Sequence, residues 1–258
     1  MTKRIGASSK AAIAPTILQQ LNEGTMQSAT LSECLAVDFA CLMRHGFPGI
    51  KAEAIDRMHT AADLGITKRM ELAAAILTEQ VPKEIKGLPL HPSDTVRGWA
   101  AYCIADSSVG LEDAIDRVRP LADDPHFGVR EWAWLAVRPV VAQDIEKSIN
   151  LLMPWSSDRS ENIRRFAIEV TRPRGVWSKH IAALKTSPGL GEGLLDRVME
   201  DPSRYVQDSC ANWLNDAAKS CPDWVVGHCA KWRKKSDSQP VGYITRRALR
   251  SLDVISKK

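Results

Sequence analysis

Five stretches of the chain place apolar, small and polar residues in one shared order: HPSDTVRGWAAYCIAD, DPHFGVREWAWLAVRP, RSENIRRFAIEVTRP, PSRYVQDSCANWLND and PVGYITRRALRSLD. They align without gaps on a branched apolar residue, Val96, Val129, Ile163, Val206 and Ile244, at steps of 33, 34, 43 and 38 residues. Four positions after the anchor each has a small side chain (Ala100, Ala133, Ala167, Cys210, Ala248), which lets a neighbouring helix approach closely. A proline four residues before the anchor in four of them (Pro92, Pro125, Pro202, Pro240) is expected to start the helix, because the first turn needs no donor there. Amphipathic stretches such as Leu111 to Leu121 and Glu146 to Met153 precede these segments, so each unit is predicted to be a helical hairpin.

Hairpins at this period predict an all-α fold, an α-solenoid of HEAT-like repeats. No period-2 apolar run and no Asn-Gly or Asp-Gly turn argues for strands. Residues 91–258 hold the five units, and 1–90 are expected to be N-terminal capping helices, including TLSECLAVDFACLMRHG and EAIDRMHTAADLG. One continuous repeat domain is therefore expected.

Stacked hairpins line one face with equivalent positions. Six residues after the anchor the row is Tyr102, Leu135, Glu169, Asn212 and Arg250; two after it, Gly98, Glu131, Arg165, Asp208 and Arg246. Charge so close to the core suits a functional face, although Arg165 and Glu169, four apart, equally suit a surface ion pair worth a few tenths of about 1 kcal/mol. The helix ends carry more information. The second unit ends in Val137, Arg138, Pro139 and the third in Thr171, Arg172, Pro173, with both prolines expected to stop their helices. Only the third continues with Arg174, Gly175, Val176 and Trp177. Two arginines around a proline suit phosphate oxygens, while Trp177 is either a functional aromatic or a plug between hairpins. In the fourth unit Asn212, Asn215 and Asp216 share one helix face, where they are hydrogen-bonded internally or offered to a ligand.

Composition changes this picture at one end. Residues 231–258 contain nine Lys or Arg and two acids, a net of +7, whereas the preceding 230 residues sum to −3. A basic end is an electrostatic footprint for a polyanion or a solvated tail helix. The apolar runs fall short of the roughly 18 residues that span a bilayer, and the N-terminus lacks the apolar core of a secretory signal. A cytoplasmic protein with no membrane partner is expected. The six cysteines form no CxxC pair, and Cys221, His228 and Cys229 match no standard zinc spacing, so reduced thiols and no metal are expected.

TLSECLAVDFACLM, IRRFAIEVTRPRGVW, and YVQDSCANWLNDAAKSCPDWVV with YITRRALRSL occur in an order that resembles the HEAT-like-repeat DNA alkylation repair glycosylases, and within them the AlkC branch. The resemblance implies a C-shaped solenoid with a concave DNA-binding face. It implies base excision of cationic alkylated bases, 3-methyladenine and also 3-methylcytosine, from double-stranded DNA, without metal or other cofactor. The branch's acidic residues match Glu131, Glu169 and Asp216, and its functional tryptophan matches Trp177. Candidate DNA contacts are Arg172, Arg174, Arg130, Arg164, Arg246, Arg247, Arg250, Asn212 and Asn215. The family pattern after the second arginine is Leu-Pro-Trp, where this chain has Gly175, Val176, Trp177, and the C-terminal immunoglobulin-like domain of many members is not in this sequence. A monomer, nucleoid-associated when bound to DNA, is expected. The alternative from another class is a non-catalytic HEAT scaffold that binds DNA or protein.

Overall fold

The computed structural model describes residues 4–106 and 110–255. Among them the regular structure is entirely helical, and no helix is long and apolar enough to cross a membrane. The chain divides into two compact units, between Val137 and Arg138. The N-terminal unit contains α1 (Pro15–Asn22), α2 (Leu31–Ala36), α3 (Phe39–Gly46), α4 (Ala52–Thr60), α5 (Ile66–Gln80), α6 (Asp94–Asp106), α7 (Leu111–Ala122) and the start of α8 (Phe127–Gln143). The C-terminal unit contains the rest of α8, then α9 (Ile145–Leu152), α10 (Glu161–Val170), α11 (Ala182–Thr186), α12 (Glu192–Arg197), α13 (Arg204–Ala218), α14 (Pro222–Lys235), α15 (Gln239–Ala248) and α16 (Arg250–Ile255).

The five aligned segments form α6, α8, α10, α13 and α15. Their anchors are at most 1% exposed, and the small residues four positions on are at most 2% exposed. That is what a packed repeat requires of both. In the C-terminal unit α10 packs on α13, and α13 on α14 and α15. In the N-terminal unit α5 packs on α6, with Trp99 fully buried and Phe39 meeting it edge-on at 5.3 Å.

Two expectations about proline are corrected. Pro92, Pro125 and Pro202 stand two residues before their helices, and only Pro240 lies in a first turn. The reason is a cap one residue upstream: the side chains of His91, Asp124, Asp158 and Asp201 each accept the backbone N–H two residues on. Such turns satisfy donors that the helix start leaves open. Pro139 does not stop α8, which runs on to Gln143. It is exposed, while Val137 and Val141 on either side are fully buried, and that burial offsets the lost helix hydrogen bond.

The residue after the anchor supplies a second repeated device. Arg97 Nη1 donates to the carbonyls of His91 and Pro92, Arg130 Nη1 to those of Asp124 and Pro125, and Arg164 Nη1 to those of Asp158 and Arg159. Arg97 also grips Asp124 of the next unit (Nε to Oδ2, 2.9 Å), and Arg164 grips Asp201 through Nε at 2.6 Å and Nη2 at 2.9 Å. Each of these two clamps joins consecutive repeats through an ion pair to a buried aspartate.

The predicted helix 30–46 is two helices. Val37 leaves the helical region and Asp38 caps α3 by accepting from Cys41 N. Glu33, buried on α2, accepts from Arg4 Nη1 at 2.8 Å and from the backbone N–H groups of Ala7 and Ala29, which ties the N-terminal segment down.

Candidate active site

α10 has Ser160 as its N-cap, and its side chain accepts from Asn162 N. Burial extends beyond the apolar stripe: Arg165 and Glu169 lie inside with Ile163, Phe166 and Ile168. After Val170 the backbone is held from two directions. Arg138 Nη1 donates to Val170 O at 2.7 Å and Nη2 to Arg172 O at 2.6 Å, while Trp213 Nε1 on α13 donates to Thr171 O at 3.0 Å. Three consecutive carbonyls at a helix end are thereby satisfied without water.

This turn brings Arg172 between two buried carboxylates. Its Nη1 donates to Glu169 Oε2 at 3.2 Å; its Nε and Nη2 reach Asp216 Oδ2 at 2.9 and 2.7 Å. Glu169 Oε1 also accepts from Ser209 Oγ at 2.9 Å and faces Arg165 Nη2 at 3.6 Å. Asp216 Oδ1 meets Lys219 Nζ at 3.4 Å. Glu169 and Asp216 are each 4% exposed. Burial works against the Arg172 charge, but Glu169 and Asp216 outweigh it, and the guanidinium pKa lies above its ordinary value. For Arg138 burial wins. With the charge of Arg172 beside it, its pKa is lowered to about 10.

No family model matches the chain. The uncharacterised protein YhaZ of Bacillus subtilis (strain 168) is 31% identical over 206 residues, which are 71% of this chain and 57% of YhaZ. The Pseudomonas fluorescens alkylpurine DNA glycosylase AlkC, solved bound to DNA containing an abasic site analog, matches with a TM-score of 0.67 at 27% identity, over 93% of this chain and 65% of that one. The chain belongs to the AlkC/AlkD superfamily. AlkD2 from Streptococcus mutans, at 20% identity and a TM-score of 0.54 over 82% of this chain and 96% of its own, shares the fold. The chain spans somewhat over half the length of YhaZ and just under two thirds of the AlkC chain.

Of the residues expected to form a superfamily site, Glu169 and Asp216 are brought together. Glu131 lies in the N-terminal unit, where Oε2 accepts from Trp134 Nε1 at 2.9 Å, and no role beside Glu169 is assigned to it. The surface alternative for Arg165 and Glu169 does not hold, since both are buried and share the network just described. Trp177 follows at φ +60°, the one non-glycine residue with positive φ among those described, and is 46% exposed beside Val176 at 58%. A bulky residue there is strained. Gly175 lies close to its neighbours: a Cβ on it would stand 1.9 Å from Ser178 Oγ and 3.1 Å from Arg138 Nε, so a side chain there needs the Ser178 hydroxyl to turn away. A leucine of the superfamily pattern would have to displace Ser178.

Several expected phosphate contacts have other partners. Arg172 is enclosed by the carboxylates because its three donors match them. Arg130 and Arg164 are directed to backbone carbonyls, and Arg164 also to Asp201. Arg174 donates to Asp216 O and Ser220 Oγ at the end of α13. Asn215 is buried, with its amide spent on Ala248 O and Ser251. Asn212 is half-buried and accepts from Arg250 Nη2 at 2.9 Å.

The basic residues of the last unit stay at the surface. Arg246 and Arg250 are exposed and Arg247 half-buried, and Arg204, Arg246 and Arg247 surround the Tyr243 ring at 3.5, 5.7 and 5.5 Å. Partial burial, followed by the charge of Arg247, lowers the Arg250 pKa. An anion placed here relieves that crowding. Sequence reasoning missed Arg138 and Ser209. Arg138 was visible only as part of a helix ending, and Ser209 three positions after its anchor had no counterpart in the other units.

Proposed function

We propose that the chain is a DNA glycosylase of the AlkC branch, hydrolysing the N-glycosidic bond of cationic alkylated bases in duplex DNA, 3-methyladenine foremost and 3-methylcytosine in addition. The observation that carries this is the pair of buried carboxylates, Glu169 and Asp216, held around one guanidinium in a chain of the AlkC/AlkD superfamily. A base already carrying positive charge departs as a neutral molecule and needs no protonation. The remaining requirement is to stabilise the oxocarbenium-like sugar and to position a water, a task glycosidases give to paired carboxylates. Glu169 takes that role. Arg172, Ser209 and Arg165 fix its oxygens in advance, so little reorganisation accompanies the reaction. Asp216 adds negative field through the shared arginine. Trp177 offers an exposed aromatic face to the cationic base, which disfavours neutral bases. Arg246, Arg247 and Arg250 supply the phosphate contacts that set position and make binding salt-dependent.

A non-catalytic scaffold is the second possibility, and the observation in its favour is that the Glu169 and Asp216 oxygens all have cationic or hydroxyl partners. Incubation with duplex DNA carrying 3-methyladenine separates the two. Free base is expected from the wild type and not from Glu169→Gln; no release by the wild type would reject the glycosylase.

A further inference from the structure

We propose that Glu192, Asp196 and His228 form a binding site for a divalent first-row transition cation, zinc being the best match. The two acids stand four residues apart on α12, and His228 reaches them from α14. One ligand atom from each lies within 4.8 Å of the others. His228 Nδ1 is 3.7 Å from Glu192 Oε1, and Nε2 is 3.7 Å from Asp196 Oδ1. Ligands of a tetrahedral zinc at about 2.0–2.2 Å lie roughly 3.4 Å apart, so small side-chain rotations close the site.

The imidazole is built like a ligand rather than like an ordinary core histidine. Its side chain is only 3% exposed, and it stacks on Trp224 at 4.8 Å and 10° and leans on Trp232 at 4.6 Å. Its Nε2 nevertheless has no hydrogen-bond partner, although it faces Asp196. Buried ring nitrogens are normally paired, and a cation at this place completes the valence.

The surroundings fit. Trp232 Nε1 donates to Asp196 Oδ1 at 2.6 Å and orients that carboxylate, as outer partners of metal ligands do. Lys231 Nζ sits 2.6 Å from Glu192 Oε1, but its side chain is 61% exposed and free to swing outward. Two carboxylates and one ammonium leave a net charge of −1, whereas a divalent cation in place of the ammonium neutralises the pair. One nitrogen and two oxygens suit zinc better than magnesium or calcium, which take oxygen sets. The place is also informative. α12 belongs to the long connector behind the 43-residue step, and it packs against α10, which carries Glu169. A cation here would pin that connector to α14. Neither Cys221 nor Cys229 takes part; Cys221 Sγ points to the carbonyls of Lys185 and Thr186.

The test uses the full chain, stripped with EDTA, in a Cys41→Ser/Cys221→Ser background so that the two partly exposed thiols cannot bind metal. Zinc is titrated calorimetrically, Tm is followed, and cobalt serves as the visible-absorption probe. One zinc per chain, a raised Tm and a cobalt spectrum of nitrogen and oxygen ligation are expected. Glu192→Gln and Asp196→Asn, at sites about one third exposed, each weaken binding at least about tenfold. Lys231→Met, which removes the competing ammonium at the surface, tightens it. Absence of zinc binding in the parent, equal affinity in the Glu192→Gln/Asp196→Asn double variant, or no gain in Lys231→Met would each overturn the assignment.

Discussion

Two kinds of half-buried arginine lie a few residues apart in the C-terminal unit, and they are built differently. Arg164 faces one carboxylate, Asp201, and spends Nη1 on the carbonyls of its own helix entry. Arg97 does the same with Asp124 in the N-terminal unit. Arg172 differs even from its counterpart in the preceding repeat, Arg138, which holds the carbonyls of Val170 and Arg172. It serves two carboxylates at once, through Glu169 and Asp216. A one-to-one pair repeated along the array is scaffold, because each copy does the same joining job and its charge is balanced. Arg172 instead draws two acids of different repeats to one guanidinium, with Arg165 beside Glu169 and Lys219 beside Asp216. Repetition thus separates the pairs that join repeats from the one cluster to which the proposed mechanism gives the developing sugar cation.

The comparison breaks first at Glu169. Replacing it with Gln is expected to cut release of 3-methyladenine about 100- to 1000-fold while helical content by circular dichroism stays at the wild-type level, as for loss of one preorganised electrostatic group. Retained release would move Glu169 to the scaffold side. The next effect is on stability. Arg164→Leu leaves Asp201 buried and unpaired and should cost about 3–5 kcal/mol in urea unfolding, with most of that recovered by adding Asp201→Asn. Base release per folded molecule should survive in that double variant. A loss of release there would mean that the clamp is part of the site.

Glu33 offers a third kind of ion pair, one that anchors the N-terminal segment, and its signature is acid sensitivity. The Arg4 guanidinium, helped against burial by the N–H groups of Ala7 and Ala29, pulls its pKa from 4.5 to about 2. A depressed acid stabilises the fold fully above its unfolded value, and that stabilisation disappears as pH falls from 4.5 toward 2. About 3 kcal/mol is at stake. Glu33→Gln should therefore lower stability at pH 7 and flatten the acid limb of the stability curve below pH 4.5; an unchanged limb would show that other carboxylates govern acid unfolding. The smallest effect belongs to the surface. Arg246→Ala should lower the slope of log K against log salt for duplex DNA by about 1, as expected for one phosphate contact. An unchanged slope would take Arg246 out of the DNA-facing surface.

The repeat and its helices were legible because their causes are local: a branched anchor and a small residue four positions on are required in every unit, and five copies made the pattern visible. Glu169 was also accessible, as an acid where the other units have different residues, whereas Asp216 stood out through Asn212 and Asn215 on the same helix face, since the first unit has Asp106 at the equivalent place. Pro139 was misjudged because the signal for a helix stop is local while the burial of Val137 and Val141 that overrides it is not. Arg130, Arg164, Arg172 and Asn215 were assigned to DNA on charge and polarity, properties that do not say where a long side chain ends. Arginines that clamp carbonyls and arginines that meet phosphate look alike in sequence.

By itself the amino-acid order determined the helical class, the repeat period, the anchors and the identity of two acids, since these follow from spacing along one helix. Only the tertiary structure decided their company. It placed Arg172 between Glu169 and Asp216 across 44 residues of chain, set Arg138 to hold the turn before Trp177, and carried Glu192 and Asp196 to a histidine beyond the next helix. Such meetings depend on how hairpins of different connector length stack, and no periodicity within a single helix encodes that distance.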